Sequence, residues 1–355
     1  MIKLQFLKFF LIISGLNVLT IPVFSQTSRS DDIILSKIDH AIKSFQSEDY
    51  DSALDICKGL VNQYPDQPMG YLGLATIYHG IMRNYWIKAF DAEFDSLIAL
   101  AIDVGKVKLN EDDENAENHF YYGAARGVKG LQHMRDHEWL TAFKEGLSGF
   151  NHVKKSYQLD STLYDAYLGL GLFYYWKSVK APLLKFLGFI KDERQKGIEF
   201  IKIAVDKGRF SRLEGRIVLL QIYIGESEYD VALRECEVLE PFFANDPTLL
   251  YLKADILTRL NRWVEANFYY RKLHHKLQVS PFKRCYGLTA SCEYGIAQCE
   301  YESGDLHEAR LWIVKANENA EKRDPDFEID GLLYSFSETY ARIKSFKNEL
   351  EKLSN

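Results

Sequence analysis

Asp165-Ala166-Tyr167-Leu168-Gly169-Leu170-Gly171-Leu172-Phe173-Tyr174 decides the fold. Large apolar residues, a residue with no side chain and a tyrosine recur at helical spacing. Gly171 lets a second helix approach closely, and Tyr174 is expected to fill the space one turn later. An earlier echo, Gly70-Tyr71-Leu72-Gly73-Leu74-Ala75-Thr76-Ile77-Tyr78, places Ala75 and Tyr78 in the same roles. Both stretches read as the first helix of a helical hairpin. Such a hairpin cannot bury its apolar face alone, so it needs stacked neighbours.

The turn of the hairpin has its own signature. In Glu48-Asp49-Tyr50-Asp51-Ser52-Ala53 the acidic pair marks the turn, Tyr50 packs, and Ala53 lets the second helix approach. Pro65 closes that helix twelve residues later. The signature returns as Glu138-Trp139-Leu140-Thr141-Ala142, Glu228-Tyr229-Asp230-Val231-Ala232, Asn261-Arg262-Trp263-Val264-Glu265-Ala266 and Gly304-Asp305-Leu306-His307-Glu308-Ala309. These positions resemble the tetratricopeptide pattern, with Glu48 standing where that family usually has glycine. The step from Ala232 to Ala266 is 34 residues, the period of that family. The resemblance implies an all-α, tetratricopeptide-like helical-hairpin solenoid, a right-handed superhelix.

A larger repeat is visible as well. Ala53 to Ala142 is 89 residues and Ala142 to Ala232 is 90. Each half carries a turn motif, a Tyr-Leu-Gly-Leu helix, an irregular insertion and another helix. The insertions are expected near 80–115 and 177–192. In the second copy, Gly169-Leu170-Gly171-Leu172-Phe173, Ser178, Pro182–Phe189, Asp192-Glu193-Arg194 and Gly197-Ile198 follow one another in order. This series resembles the tetratricopeptide repeat protein 39 / inclusion-body clearance family. What it implies is an all-helical repeat fold.

The first residues speak to location. Lys3 and Lys8 frame the start of an apolar run from Phe9 to Leu19, and Pro22-Val23-Phe24-Ser25 ends it before Gln26. This is the pattern of a secretory signal peptide, so residues 1–25 are expected to be removed. The run is shorter than a membrane-spanning helix needs, and Pro22 interrupts it. Residues 26–355 then form one exported repeat domain, in a bacterial periplasm or cell envelope. The net charge of -6 disfavours a nucleic-acid partner, which needs a basic face.

Chemistry-bearing motifs are scarce. There is no phosphate-binding glycine loop and no Gly-x-Ser-x-Gly nucleophile turn, so no catalytic residue and no cofactor is assigned. His133 and His137 stand at metal-ligand spacing if both lie on one helix, and a metal-dependent enzyme is one alternative. A helix end or turn is the plainer reading, and no metal site is assigned. The five cysteines include Cys57 and Cys236, each four residues after a motif alanine, where a buried apolar residue belongs. Cys285, Cys292 and Cys299 step by seven, and a Cys285–Cys292 bridge is open only if the Cys285 segment folds back as a loop.

The expected function is non-enzymatic binding of a protein or peptide partner in a concave groove lined by the first helices. The positions facing that groove are Phe120, Tyr175, Trp176, Tyr251, Asp255, Arg259, Tyr294 and Tyr301, with Leu168, Ile217 and Gln298 beside them. Aromatic rings with a few polar anchors suit an extended segment. The set of Lys or Arg and Asn with which some tetratricopeptide relatives hold chaperone tails is not at these positions. The first alternative, ahead of a metal-dependent enzyme, is a lipid- or membrane-associated module that touches the bilayer through Pro182–Phe189.

Overall fold

A computed structural model describes residues 29–180 and 191–353. The expected signal peptide and the Pro182–Phe189 insertion lie outside the described residues. Among the described residues, fifteen helices follow one another. The first eight are α1 Arg29–Gln46, α2 Tyr50–Gln63, α3 Pro68–Tyr85, α4 Asp91–Glu111, α5 Ala116–Arg135, α6 Trp139–Leu159, α7 Ala166–Val179 and α8 Arg194–Lys207. Then come α9 Ser211–Gly225, α10 Tyr229–Leu239, α11 Pro247–Arg259, α12 Trp263–Val279, α13 Tyr286–Glu302, α14 Leu306–Glu321 and α15 Phe336–Lys352. No strand is present among the described residues, only an isolated antiparallel bridge between Ile87 and Glu328. The fold is an all-α helical-hairpin solenoid. Odd-numbered helices are first arms, even-numbered helices are second arms, and α15 closes the series.

The chain divides into two compact units. One holds 29–79 and Asp91–Leu219, the other Gly80–Phe90 and 220–353. In the first, α1 packs on α2, and α4 through α8 pack each on the next. In the second, α10 through α15 do the same. First arms also touch their successors: α5 with α7, α11 with α13, and α13 with α15.

Local sequence explains the helix starts. Asp49, Asn115, Asp246 and Asp305 each accept a hydrogen bond from a backbone N–H of the first turn of α2, α5, α11 and α14. Ser335 and Glu338 form a reciprocal capping box on α15. The turns are just as regular. Glu48, His137, Ser227, Asn261 and Gly304 all have positive φ, between 58° and 88°. Each lies five residues before a motif alanine. In each turn the next residue's N–H donates back across the helix end, as Asp49 does to the Ser44 carbonyl and Asp305 to the Glu300 carbonyl. This left-handed closure satisfies the last carbonyls of the first arm. Four of the five turns accept it without glycine.

Close helix crossings carry the hairpins. A methyl group on Gly123 would lie 2.8 Å from the Gly149 carbonyl oxygen, so α5 and α6 meet backbone to backbone. The decisive stretch does the same at Gly171 against Gly197 of α8. The residue filling the space beyond Gly171 is Tyr175, 1% exposed, and not Tyr174. Residues four apart lie one above the other on a helix, so Tyr175 shares the buried stripe with Gly171 and Ser178. Tyr174 is half-buried, with its ring 5.3 Å from Phe150 and 5.8 Å from Phe200. In α3 the same shift holds. His79, four residues after Ala75, is buried with its ring 5.6 Å from Phe94, while Tyr78 is half-buried.

Residues 80–115, expected to hold an irregular insertion, are helical apart from 86–90 and 112–115. The 86–90 link is held within the second unit. Ile329 N–H donates to the Trp86 carbonyl at 3.0 Å, and Lys88 N–H to the Phe327 carbonyl at 2.7 Å. The Trp86 ring lies over Gly331, where a Cβ would come within 2.7 Å of it. Glu328 is buried and accepts from Gly287 N–H at 2.6 Å, which caps α13. These contacts fix the segment between α14 and α15.

Candidate functional site

Tyr251, Asp255 and Arg259 lie at four-residue steps on α11 and therefore share one face. Asp255, 7% exposed, accepts a hydrogen bond from Arg259 Nε. Arg259 Nη1 donates to the Tyr229 hydroxyl at 2.9 Å, and Nη2 donates to the Tyr334 hydroxyl. Tyr229 comes from the start of α10, and Tyr334 from the segment that Trp86 and Glu328 hold in place. The Arg342 guanidinium of α15 lies 3.7 Å from the centre of the Tyr334 ring. Four separate stretches of the second unit thus meet around two guanidinium groups.

The surroundings are aromatic. Tyr251 is buried between Trp86, at 5.1 Å, and Tyr270, at 6.3 Å. Tyr294 and Tyr301 of α13 stand edge-on to Phe346 of α15, at 6.0 and 5.4 Å. Tyr229, Arg259, Tyr294, Tyr301, Tyr334 and Arg342 are all half-buried, so part of each reaches solvent. Burial raises the pKa of the Asp255 carboxyl, and Arg259 and Arg342 work against that rise. Burial also disfavours the Arg259 charge, but Asp255 and Tyr334 hold its pKa above the ordinary arginine value. Burial pushes the Tyr251 phenol well above its usual range.

The expected groove residues therefore fall into two groups. Tyr251, Asp255, Arg259, Tyr294 and Tyr301 come together in the second unit. Phe120, Tyr175 and Trp176 belong to the first. Phe120 is 2% exposed and Tyr175 1%, so both rings are packed inside and offer no free face. Trp176 is half-buried, with Lys180 Nζ 5.5 Å from its ring centre. Leu168 and Ile217 are buried, and Gln298 is half-buried. Tyr229, Tyr334, Arg342 and Phe346 were not among the expected residues. The Ser335-x-x-Glu338 box marks the start of α15 in the sequence, and Arg342 and Phe346 then fall one turn apart on it.

His133 and His137 are not on one helix face. The helix α5 ends at Arg135, and His137 takes the left-handed turn position with φ 62°. His133 Nδ1 lies 2.7 Å from Glu138 Oε2, and the His137 ring packs 5.3 Å from Trp139. All five cysteines are free and buried. Cys285 sits at the cap of α13 and points to the Phe282 carbonyl, while Cys292 points to the Tyr270 carbonyl, so no Cys285–Cys292 bridge forms.

No protein-family model and no curated protein matches the chain. It is similar to solved structures of tetratricopeptide-repeat proteins. YrrB, described as a TPR protein with an unusual peptide-binding site, aligns at 14% identity and TM-score 0.43, over 61% of this chain and 93% of that one. TTC0263, a thermophilic TPR protein of Thermus thermophilus, aligns at 16% identity and TM-score 0.41, over 63% of this chain and 99% of that one. Yeast Tom70 aligns at 13% identity and TM-score 0.41, over 98% of this chain and 69% of that one.

Proposed function

We propose that this protein is an exported, non-enzymatic repeat scaffold that holds a protein or peptide partner against its first arms. The observation that carries the reading is the half-exposed cluster of Tyr229, Arg259, Tyr294, Tyr334 and Arg342. Aromatic rings and guanidinium groups, positioned by a rigid helical frame, are the residue types that dominate binding energy at protein interfaces. Export is supported by the Lys3–Ser25 pattern, and the location it favours is a bacterial periplasm or cell envelope.

Two measurements test this. Mass spectrometry of the protein from its host is expected to find a mature chain beginning at Gln26. Crosslinking in intact cells from a photoreactive residue at Tyr294 is expected to capture one discrete protein. The same probe at Phe268, 62% exposed on the second arm α12, is expected not to. Equal labelling from both positions overturns the scaffold reading. Lipid adducts at either position favour the membrane-associated alternative instead. Among the described residues, no helix is long and apolar enough to cross a membrane.

A further inference from the structure

We propose that the Arg259–Arg342 cluster is a receptor for the side-chain carboxylates of an acidic peptide segment. The inference deepens the scaffold reading and rests on it. Hydrogen-bond donors outnumber acceptors in the cluster. The hydroxyls of Tyr229 and Tyr334 both accept from Arg259; Tyr229 donates its own proton to Ser227 Oγ at 3.3 Å, while Tyr334 keeps its proton to donate elsewhere. Arg259 uses one N–H on each of its three nitrogens and has two left over. Arg342 lies over the Tyr334 ring, is hydrogen-bonded to that residue and makes no ion pair among the described residues. Among those residues Asp255 is the single carboxylate bonded to the cluster, it is buried, and Arg259 occupies it.

The site is thus rich in donors and short of acceptors, with two fixed positive charges against one negative. Glu349 of α15 is near enough for Tyr294 to feel its charge, but it is exposed and does not pair with Arg342. The imbalance is local, because the whole chain carries a net charge of -6. A general attraction for anions is therefore not its cause. The Arg342 guanidinium lies 3.7 Å from the centre of the Tyr334 ring, and the forked N–H groups of a guanidinium match a carboxylate in a paired, two-bond geometry. The half-exposed rings of Tyr294 and Tyr301 lie on the neighbouring arm, where they suit the stems of an extended acidic segment.

The test uses the full mature chain and a fluorescein-labelled hexaglutamate peptide, followed by fluorescence anisotropy at low salt. The hexaglutamate is expected to bind and the hexaglutamine analogue not to. Arg342→Gln is expected to weaken binding by about tenfold, the loss typical of a charge-assisted pair. Lys344→Gln, an equal charge change at an exposed position of α15, is expected to leave it unchanged. Tyr334→Phe keeps the ring and removes one donor, so it tests the site even where Arg342→Gln disturbs α15. Equal losses in the Arg342 and Lys344 variants overturn the proposal. Competition by inorganic phosphate well below the concentration at which acetate competes also overturns it, in favour of a phosphorylated segment. If hexaglutamate fails to bind a protein that still captures its partner from Tyr294, the carboxylate inference falls and the scaffold reading stands. If capture fails as well, both fall.

Discussion

Gly171 and Gly197 lie so close that a methyl group on either would come within 2.7 Å of the other's carbonyl oxygen. At Gly171 it would also press on Ile201, at 2.7 Å from Cγ1 and 2.9 Å from the backbone nitrogen. Backbone cannot swing aside as a long side chain can. Gly171→Ala is therefore expected to destabilise the protein by about 2 kcal/mol, and Gly171→Leu by more. Urea unfolding measures both. An unchanged midpoint in Gly171→Leu would mean that α7 and α8 do not cross at these glycines.

The five left-handed turns predict opposite effects of opposite substitutions. Left-handed backbone costs an L-residue about 1 kcal/mol, and glycine escapes that cost. His137→Gly and Ser227→Gly are each expected to raise stability by about 1 kcal/mol. Gly304→Ala, at φ 88°, is expected to lower it by a similar amount. Thermal unfolding of the three variants checks the signs, which matter more here than the sizes.

A pH dependence follows from His119 and His152, whose Nδ1 atoms are 3.0 Å apart. His119 Nε2 faces the Asp113 carbonyl at 2.8 Å, so it carries a proton and leaves Nδ1 bare to accept from His152. Burial, His119 and Arg126 together lower the His152 pKa below its ordinary 6.5. The unfolded chain titrates at the ordinary value. Between the two values the unfolded state binds more protons, so stability rises with pH there and is lost as pH falls through that window. Urea midpoints on both sides of the window, compared between the parent and His152→Asn, are expected to show a shallower slope in the variant.

The buried thiols give a chemical prediction. Burial pushes Cys57 up to about 12 and Cys285 up to about 11, where almost no thiolate exists at neutral pH. Folded protein is expected to react slowly with a thiol reagent, and denatured protein to yield five thiols per chain. A yield below five on denaturation without reductant would mean that a bridge forms.

Removing Asp255 leaves Arg259 without its charge partner in a half-buried setting. Asp255→Ala is expected to cost about 3 kcal/mol. Arg259→Met, which fills the space without a charge, is expected to cost less. Paired unfolding curves decide between a site whose charges are mutually dependent and one where each residue acts alone.

Much of the candidate site was legible residue by residue. Asp255 and Arg259 are one turn apart on a helix that can be read from its own pattern, so their pairing follows from local geometry. The partner of Arg259 at Tyr334 is 75 residues away along the chain. No local pattern points to it, because its position depends on the Trp86 and Glu328 contacts of the segment before α15. Phe120 and Tyr175 have the residue type of a binding surface, yet both are packed inside. Residue type alone does not distinguish a ring that fills a gap between arms from one that lines a groove.

The sequence by itself determined the helical hairpins, the five turns with their alanines, and the places where arms cross closely. Those features depend on residues a few positions apart, and helical periodicity carries that information directly. Only the tertiary structure decided which side of each helix is buried, to within one residue. Gly171 is followed inward by Tyr175 rather than Tyr174 because the packing of α8 sets the rotation of α7. It also decided that Arg342 comes to the Tyr334 ring beside the Asp255–Arg259 pair, since charges meet through packing between distant segments and leave no trace in local spacing.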